Sequence, residues 1–203
     1  MIKVIKAKSN YLKKLNVFLE KRREKEGQEN KIVKKILQDI KKNKLKAVKK
    51  YEIKFSNNRK IKPSKKTINA TIKKIDPKVK KAIDFAYNRI FQFHTQQTKS
   101  IKNIYFKDKY KNILEYRNIP IESVGIYVPG NLPSTLLMNS IPAKLAKVKR
   151  IVLATPNIDG KLNPAVLYAA KKVGIKEIYS FGGAQAIGSL AYIQKVNKIV
   201  GPG

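Results

Sequence analysis

Ile126-Tyr127-Val128-Pro129-Gly130, Ile151-Val152-Leu153-Ala154-Thr155-Pro156, Ile178-Tyr179-Ser180-Phe181-Gly182-Gly183 and Ile199-Val200-Gly201-Pro202-Gly203 are four short β-prone runs, each closed by Gly or Pro. Stretches of helical pattern lie between them. Short apolar runs that alternate with helices read as parallel strands joined by crossovers. In such sheets ligands bind beyond the carboxyl ends of the strands, and all four Gly/Pro turns fall on that edge. The stretch from Val124 to Gly203 thus predicts β-α-β-α-β-α-β, an incomplete doubly wound parallel sheet, and says where a site belongs.

The intervening helices carry their own signals. Leu136, Leu137, Ile141, Leu145 and Val148 mark the first, with Ser134 or Thr135 as its cap and Pro142 expected to bend it or free a carbonyl. Asn163-Pro164 opens the second and Gly174 is placed to end it. The third opens just after Gly182-Gly183. The last run ends in Gly201-Pro202-Gly203 with no helix behind it, so the α/β part is expected to be truncated at its C-terminal end.

Upstream, residues 1–120 read as a helical and mixed region, with a boundary near Ile121–Val124. Ile32, Val33, Ile36, Leu37 and Ile40 form one apolar helical stripe. A polar connection around Asn57–Lys66 contains the helix-breaking Pro63. Asp76-Pro77 starts a helix to about Thr98 whose buried face is expected to be Val79, Ala82, Ile83, Ala86, Ile90 and Phe93. Ile101–Phe106 and Asn112–Tyr116 read as two short strands.

Composition excludes several functions. There is no cysteine, hence no disulfide and no thiol chemistry, and His94 is the only histidine. Zinc sites draw on several His or Cys ligands, so this segment builds none alone. No apolar run approaches the ~20 residues of a membrane span, and Met1–Lys6 opens no signal peptide. A cytoplasmic protein is expected. The net charge of +33 invites a nucleic-acid reading. However, Lys supplies 40 of the 46 basic residues, and Lys, Ile and Asn make up 82 of the 203 residues. Recognition of bases and phosphates favours the Arg fork, whereas this mixture is what an AT-rich gene encodes. The expectation is non-specific, salt-sensitive attraction to nucleic acid.

Two motifs stand on the ligand edge. Gly182-Gly183-Ala184-Gln185-Ala186 ends a strand in Gly-Gly and opens a helix, which lets backbone amides approach an anion closely. Gln185 falls in the first turn, within reach of a ligand. The same residues also make a tight turn with no ligand, and they are not the G-x-G-x-x-G dinucleotide fingerprint. Tyr127, at the end of its strand, either faces the crevice and stacks on a flat ligand or serves as a packing residue. Asp159-Gly160 reads as a turn, and His94, near a helix end, as structural. There is no P-loop, nucleophile elbow, His/carboxylate cluster or metal-ligand spacing.

Taken together, these strings resemble the histidinol dehydrogenase family. Val124–Gly130, Pro133–Lys144, Val148–Pro156, Gly182–Ile187 and Lys198–Gly203 carry the resemblance, with weaker likeness at Ile75-Asp76-Pro77, Arg89-Ile90, Phe93-His94 and Ile119–Ser123. It extends over about residues 30–203. The resemblance implies a Rossmann-like, aldehyde-dehydrogenase-like fold and a zinc-dependent oxidoreductase of histidine biosynthesis. It implies oxidation of L-histidinol to L-histidine through the aldehyde in two NAD⁺-dependent steps, by a domain-exchanged homodimer. Tyr127 and Gln185 match the family's NAD-contacting positions. The zinc ligands, the Glu-His acid/base pair and the histidinol contacts belong to the family's C-terminal half, so no catalytic or metal residue is assigned here. Two departures stand out: the loop after Gly130 is shortened, and Ala191–Lys195 lacks the family's usual insertion. The resemblance thus implies the N-terminal half of such an enzyme, inactive alone and completed by a C-terminal half. The alternatives are a non-catalytic relic and a basic nucleic-acid-binding protein.

Overall fold

Ser123–Tyr127 (β3), Arg150–Thr155 (β4), Glu177–Ser180 (β5) and Lys198–Val200 (β6) form one parallel sheet in the order β5-β4-β3-β6. Each strand overlaps one of the four runs read from sequence and begins one to three residues before it. The computed structural model describes residues 11–157 and 160–202 of the chain. Asp159, Gly203 and Met1–Lys6, on which three of the expectations fall, lie outside the described residues.

The crossovers are Pro133–Leu145 (α4), Pro164–Val173 (α5) and Gly183–Tyr192 (α6). The strands step outward from β3 through β4 to β5, and then α6 returns the chain to pair β6 with the other side of β3. This reversal between β3 and β6 is a topological switch point, where a doubly wound sheet opens a crevice.

Both faces of the sheet are covered. On one, α4 and α5 pack with Pro77–Lys99 (α3) around Val124, Ile126, Leu136, Leu137, Leu153 and Leu167. On the other, α6 packs with the C-terminal part of Tyr11–Ser56 (α1) around Ile40, Val48, Val152, Ala154, Phe181 and Leu190. Neighbouring residues of β4 thus serve opposite cores, which is why its run is continuously apolar rather than alternating. Of the residues before 121, α1 and α3 supply outer layers to this sheet.

Helix boundaries follow local chemistry. Asp76 accepts from Lys78 N and Val79 N, and Asn163 accepts from Ala165 N and Val166 N, each ahead of a proline in the first turn. Gly174 ends α5 at φ 92°. α1 is two helices joined at Lys44, where φ is 50°. Asp39, before the kink, accepts from Asn43, Lys50 and Tyr51. Those hydrogen bonds, chiefly from Asn43, hold its carboxyl down at about 2.

Several expectations need correction. α4 is capped by Leu132, with no side-chain bond, and not by Ser134 or Thr135: Pro133 sets the first turn, which leaves both hydroxyl residues inside the helix. That helix ends at Leu145, short of Val148, and runs through Pro142. Proline there removes only the N–H that would bond the carbonyl of the exposed Met138. On α3, Ile83 is buried and Ala86 and Ile90 are half-buried, but Val79, Ala82 and Phe93 are exposed. Tyr87 and Phe91, stacked at 5.7 Å, pack inward instead. A short helix not read from sequence, Lys65–Ile72 (α2), follows the polar connection and is capped by Ser64 on Thr67 N. The two expected short strands pair as an antiparallel hairpin, Ile104–Lys107 (β1) with Ile113–Tyr116 (β2).

Candidate functional site

The carboxyl edge of the sheet is made by Tyr127 to Gly130, Thr155-Pro156, Ser180 to Gly183 and Val200 to Pro202. At the switch point the chain leaving β6 crosses β3 closely. A Cβ on Gly201 would collide with the carbonyl oxygen of Tyr127, and φ there is +153°. Only glycine permits that approach.

Tyr127 and the Gly-Gly turn meet. The exposed Gly183 donates its N–H to the Tyr127 hydroxyl at 3.4 Å, which anchors the tip of a half-buried ring. Gln185 sits in the first turn of α6, as read from sequence, but its side chain is only 3% exposed. Its Nε2 donates to Glu52 Oε1 at 2.7 Å, and Gly182 N–H donates to the same oxygen at 3.0 Å. The open amide cradle expected at Gly182-Gly183 is therefore partly filled by a carboxyl group of α1. The Gln185 Oε1 lies beside Gly183, 3.1 Å from where a Cβ would stand.

Sequence reading missed Glu52 and Asn58. Asn58 Nδ2 donates to the Ser180 carbonyl at 2.6 Å and to Glu52 Oε2 at 3.4 Å, while Ser180 N–H donates to the Ile61 carbonyl at 2.8 Å. The end of α1 and the loop behind it thus wrap the edge at β5. One signal was available: Glu52 follows Val48 by one turn, which places an acid on the apolar stripe of α1. Thr155 Oγ1, buried at the end of β4, has no hydrogen-bond partner among the described residues.

The remaining sequence candidate is elsewhere. His94 lies on α3 with its Nδ1 2.5 Å from Gln97 Oε1 and its ring edge-on to Phe93. Among the described residues no three His, Cys, Asp or Glu side chains stand together as a metal site, so they do not fit a zinc ion. At this edge Tyr127 offers an anchored ring and Gln185 a carboxamide oxygen beside Gly183.

Fold and edge together define a Rossmann-like α/β unit with its candidate site at the switch point between β3 and β6. The comparisons make this specific. The chain belongs to the histidinol dehydrogenase family, whose model matches residues 19–203. It is 53% identical over 211 residues to the histidinol dehydrogenase of Pelagibacter ubique, covering 100% of this chain and 49% of that protein. With the histidinol dehydrogenase of Thermococcus kodakarensis it shares 39% identity, over 84% of this chain and 46% of the relative. The crystal structure of histidinol dehydrogenase from Elizabethkingia anophelis superposes with a TM-score of 0.78 at 38% identity, covering 86% of this chain and 42% of that one. The chain spans about half the length of the curated relatives it matches. Among the described residues no helix is long and apolar enough to cross a membrane.

Proposed function

We propose that this chain supplies the NAD-contacting half of a histidinol dehydrogenase, the oxidoreductase that converts L-histidinol to L-histidine in histidine biosynthesis. The observation that carries the reading is the meeting of Tyr127 with the Gly182-Gly183 turn at the switch point, beside Gln185. When bound, NAD⁺ would supply the hydride acceptor. Tyr127 offers a ring whose orientation is held by the Gly183 N–H, so it loses little freedom on packing against a flat ligand. Gln185 keeps one acceptor oxygen for the ligand while its amide stays bound inside the protein.

The zinc ligands and the proton-transferring groups are assigned to the half of the family's length that this chain does not span. Assembly as a homodimer belongs to the whole enzyme. Calorimetry with NAD⁺ tests the cofactor part. Tyr127→Ala is expected to weaken binding about tenfold, near 1.4 kcal/mol; absence of binding by the unsubstituted chain at millimolar NAD⁺ overturns it. The second part is tested by following NADH absorbance with histidinol, zinc and NAD⁺. The chain alone should give none, and turnover by it would sink the claim that the other half is required.

A further inference from the structure

Among the described residues Glu52 is the only fully buried charged side chain, at 0% exposed. Burying a carboxylate costs heavily unless partners replace its water. No salt bridge to Glu52 is found among the described residues. Its partners are donors only: Gly182 N–H and Gln185 Nε2 on Oε1, and Asn58 Nδ2 on Oε2. That is the pattern an ionised carboxylate satisfies, since it accepts and never donates. The positive end of the α6 dipole lies at the same place. Helix N-termini attract anions from solution; this one has its anion built in.

We propose that Glu52 is a positioning residue, an internal anion that plugs the N-terminus of α6, locks the Gly182-Gly183 turn and orients the Gln185 carboxamide. The inference rests on the NAD reading above and deepens it. With Gly182 N–H and one N–H of Gln185 Nε2 committed to Glu52, the Gln185 Oε1 is left on the Gly183 side of the turn as an acceptor. The ligand group set against it is a donor, such as a hydroxyl or an amino group. A phosphate is disfavoured, because it would meet an acceptor backed by a buried negative charge. Glu52 thereby decides which part of a dinucleotide the turn of α6 can take.

The test is a double-mutant cycle on NAD⁺ affinity, measured by calorimetry on the 203-residue chain. Glu52→Ala and Gln185→Ala should each weaken binding about tenfold. The pair should weaken it no further than either alone, because Glu52 acts through Gln185. Glu52→Gln should recover part of the affinity: its one carboxamide oxygen still accepts from Gly182 and Gln185, but the charge is lost and its amide nitrogen faces the donor Asn58 Nδ2. If Glu52→Ala fails to fold, Glu52→Asp, too short to reach both donors, takes its place in the cycle. Additive losses, or unchanged affinity without Glu52, overturn the positioning role while leaving the cofactor reading intact. If the unsubstituted chain binds no NAD⁺, the cofactor reading falls, and amide exchange then judges Glu52 separately. Removing it should speed exchange at Gly182 and in the Gln185 side-chain amide relative to the rest of α6, and unchanged exchange overturns the lock.

Discussion

The four-stranded sheet and the β1–β2 hairpin are built from the same kinds of residue and end in opposite states. In β4, Val152, Leu153 and Ala154 are each 0% exposed; in β1, Ile104, Tyr105 and Phe106 are 60%, 63% and 55% exposed. The sheet has a helical layer on each face, and the hairpin has none on either among the described residues. An isolated two-stranded hairpin is marginal in water, and contiguous exposed apolar surface marks an interaction site. Apolar composition therefore does not decide burial here. What decides it is whether this chain supplies the covering layer.

The sharpest way to break the comparison is one deletion made in both regions. Leu153→Ala opens a cavity in the covered core beneath α4 and α5 and should cost about 2–5 kcal/mol. Leu114→Ala, in the hairpin, removes the same atoms from a side chain that is 58% exposed and should cost under about 0.5 kcal/mol. Urea unfolding midpoints measure both, and equal costs would show that the hairpin is covered in solution.

A second prediction concerns the edge of the sheet. Gly201→Ala sets a methyl group against the Tyr127 carbonyl oxygen in a backbone region that side chains avoid. It should cost about 1–3 kcal/mol and loosen β6 first, seen as faster amide exchange at Ile199 and Val200. A neutral substitution would mean that the close crossing of β6 over β3 does not hold. The third prediction reverses the roles of the two regions. With a complementing C-terminal half present, Phe106→Ser and Leu114→Ser should each weaken assembly about tenfold while leaving the melting of this chain unchanged. If sedimentation finds assembly unaffected, that half does not cover the hairpin.

How much the sequence disclosed follows the same division. The strands, the Asn163 and Asp76 caps, the Gly174 stop and both edge motifs were legible, because each depends on residues close together in the chain. The inward face of α3 was misread because its periodicity admits two stripes, and only the position of α4 selects Tyr87 and Phe91 over Val79 and Phe93. The α4 cap was misread because Pro133 outranks the hydroxyls that follow it. The place of Glu52 on the apolar stripe of α1 was legible, but its role was not. Its partners lie at Gly182 and Gln185, more than a hundred residues away, and no local pattern links them. At the Gly-Gly turn, read as either an open cradle or a tight turn without ligand, Gly182 N–H instead donates to the Glu52 carboxyl group.

The smallest expected effect compares two aspartates, one in each region. Asp84 on α3 accepts from Tyr168 at 2.7 Å and pairs with Lys172, so it ties α3 to α5 across the covered core. The Lys172 bond, then that of Tyr168, holds its carboxyl below the usual range, while burial and Asp84 push the Tyr168 phenol up to about 12. Asp108 is also lowered, chiefly by Asn112, but it ties only the hairpin to itself. A carboxyl with a lowered folded-state value binds fewer protons folded than unfolded. Its stabilisation is therefore complete above the ordinary carboxylate range and is lost as pH falls through the folded value. The Asp84 side chain is 34% exposed, so solvent screening keeps its contribution to about 0.2–1 kcal/mol. Asp84→Asn should lower the urea midpoint at pH 7 and converge with the unsubstituted chain as pH falls below the ordinary carboxylate range and through the lowered folded-state value. Asp108→Asn should leave global unfolding unchanged at both pH values and alter only amide exchange in the hairpin. A pH-independent loss from Asp84→Asn would mean that Asp84 acts through packing rather than charge. A global effect from Asp108→Asn would mean that the hairpin unfolds together with the sheet and is not the separate, uncovered unit its exposure implies.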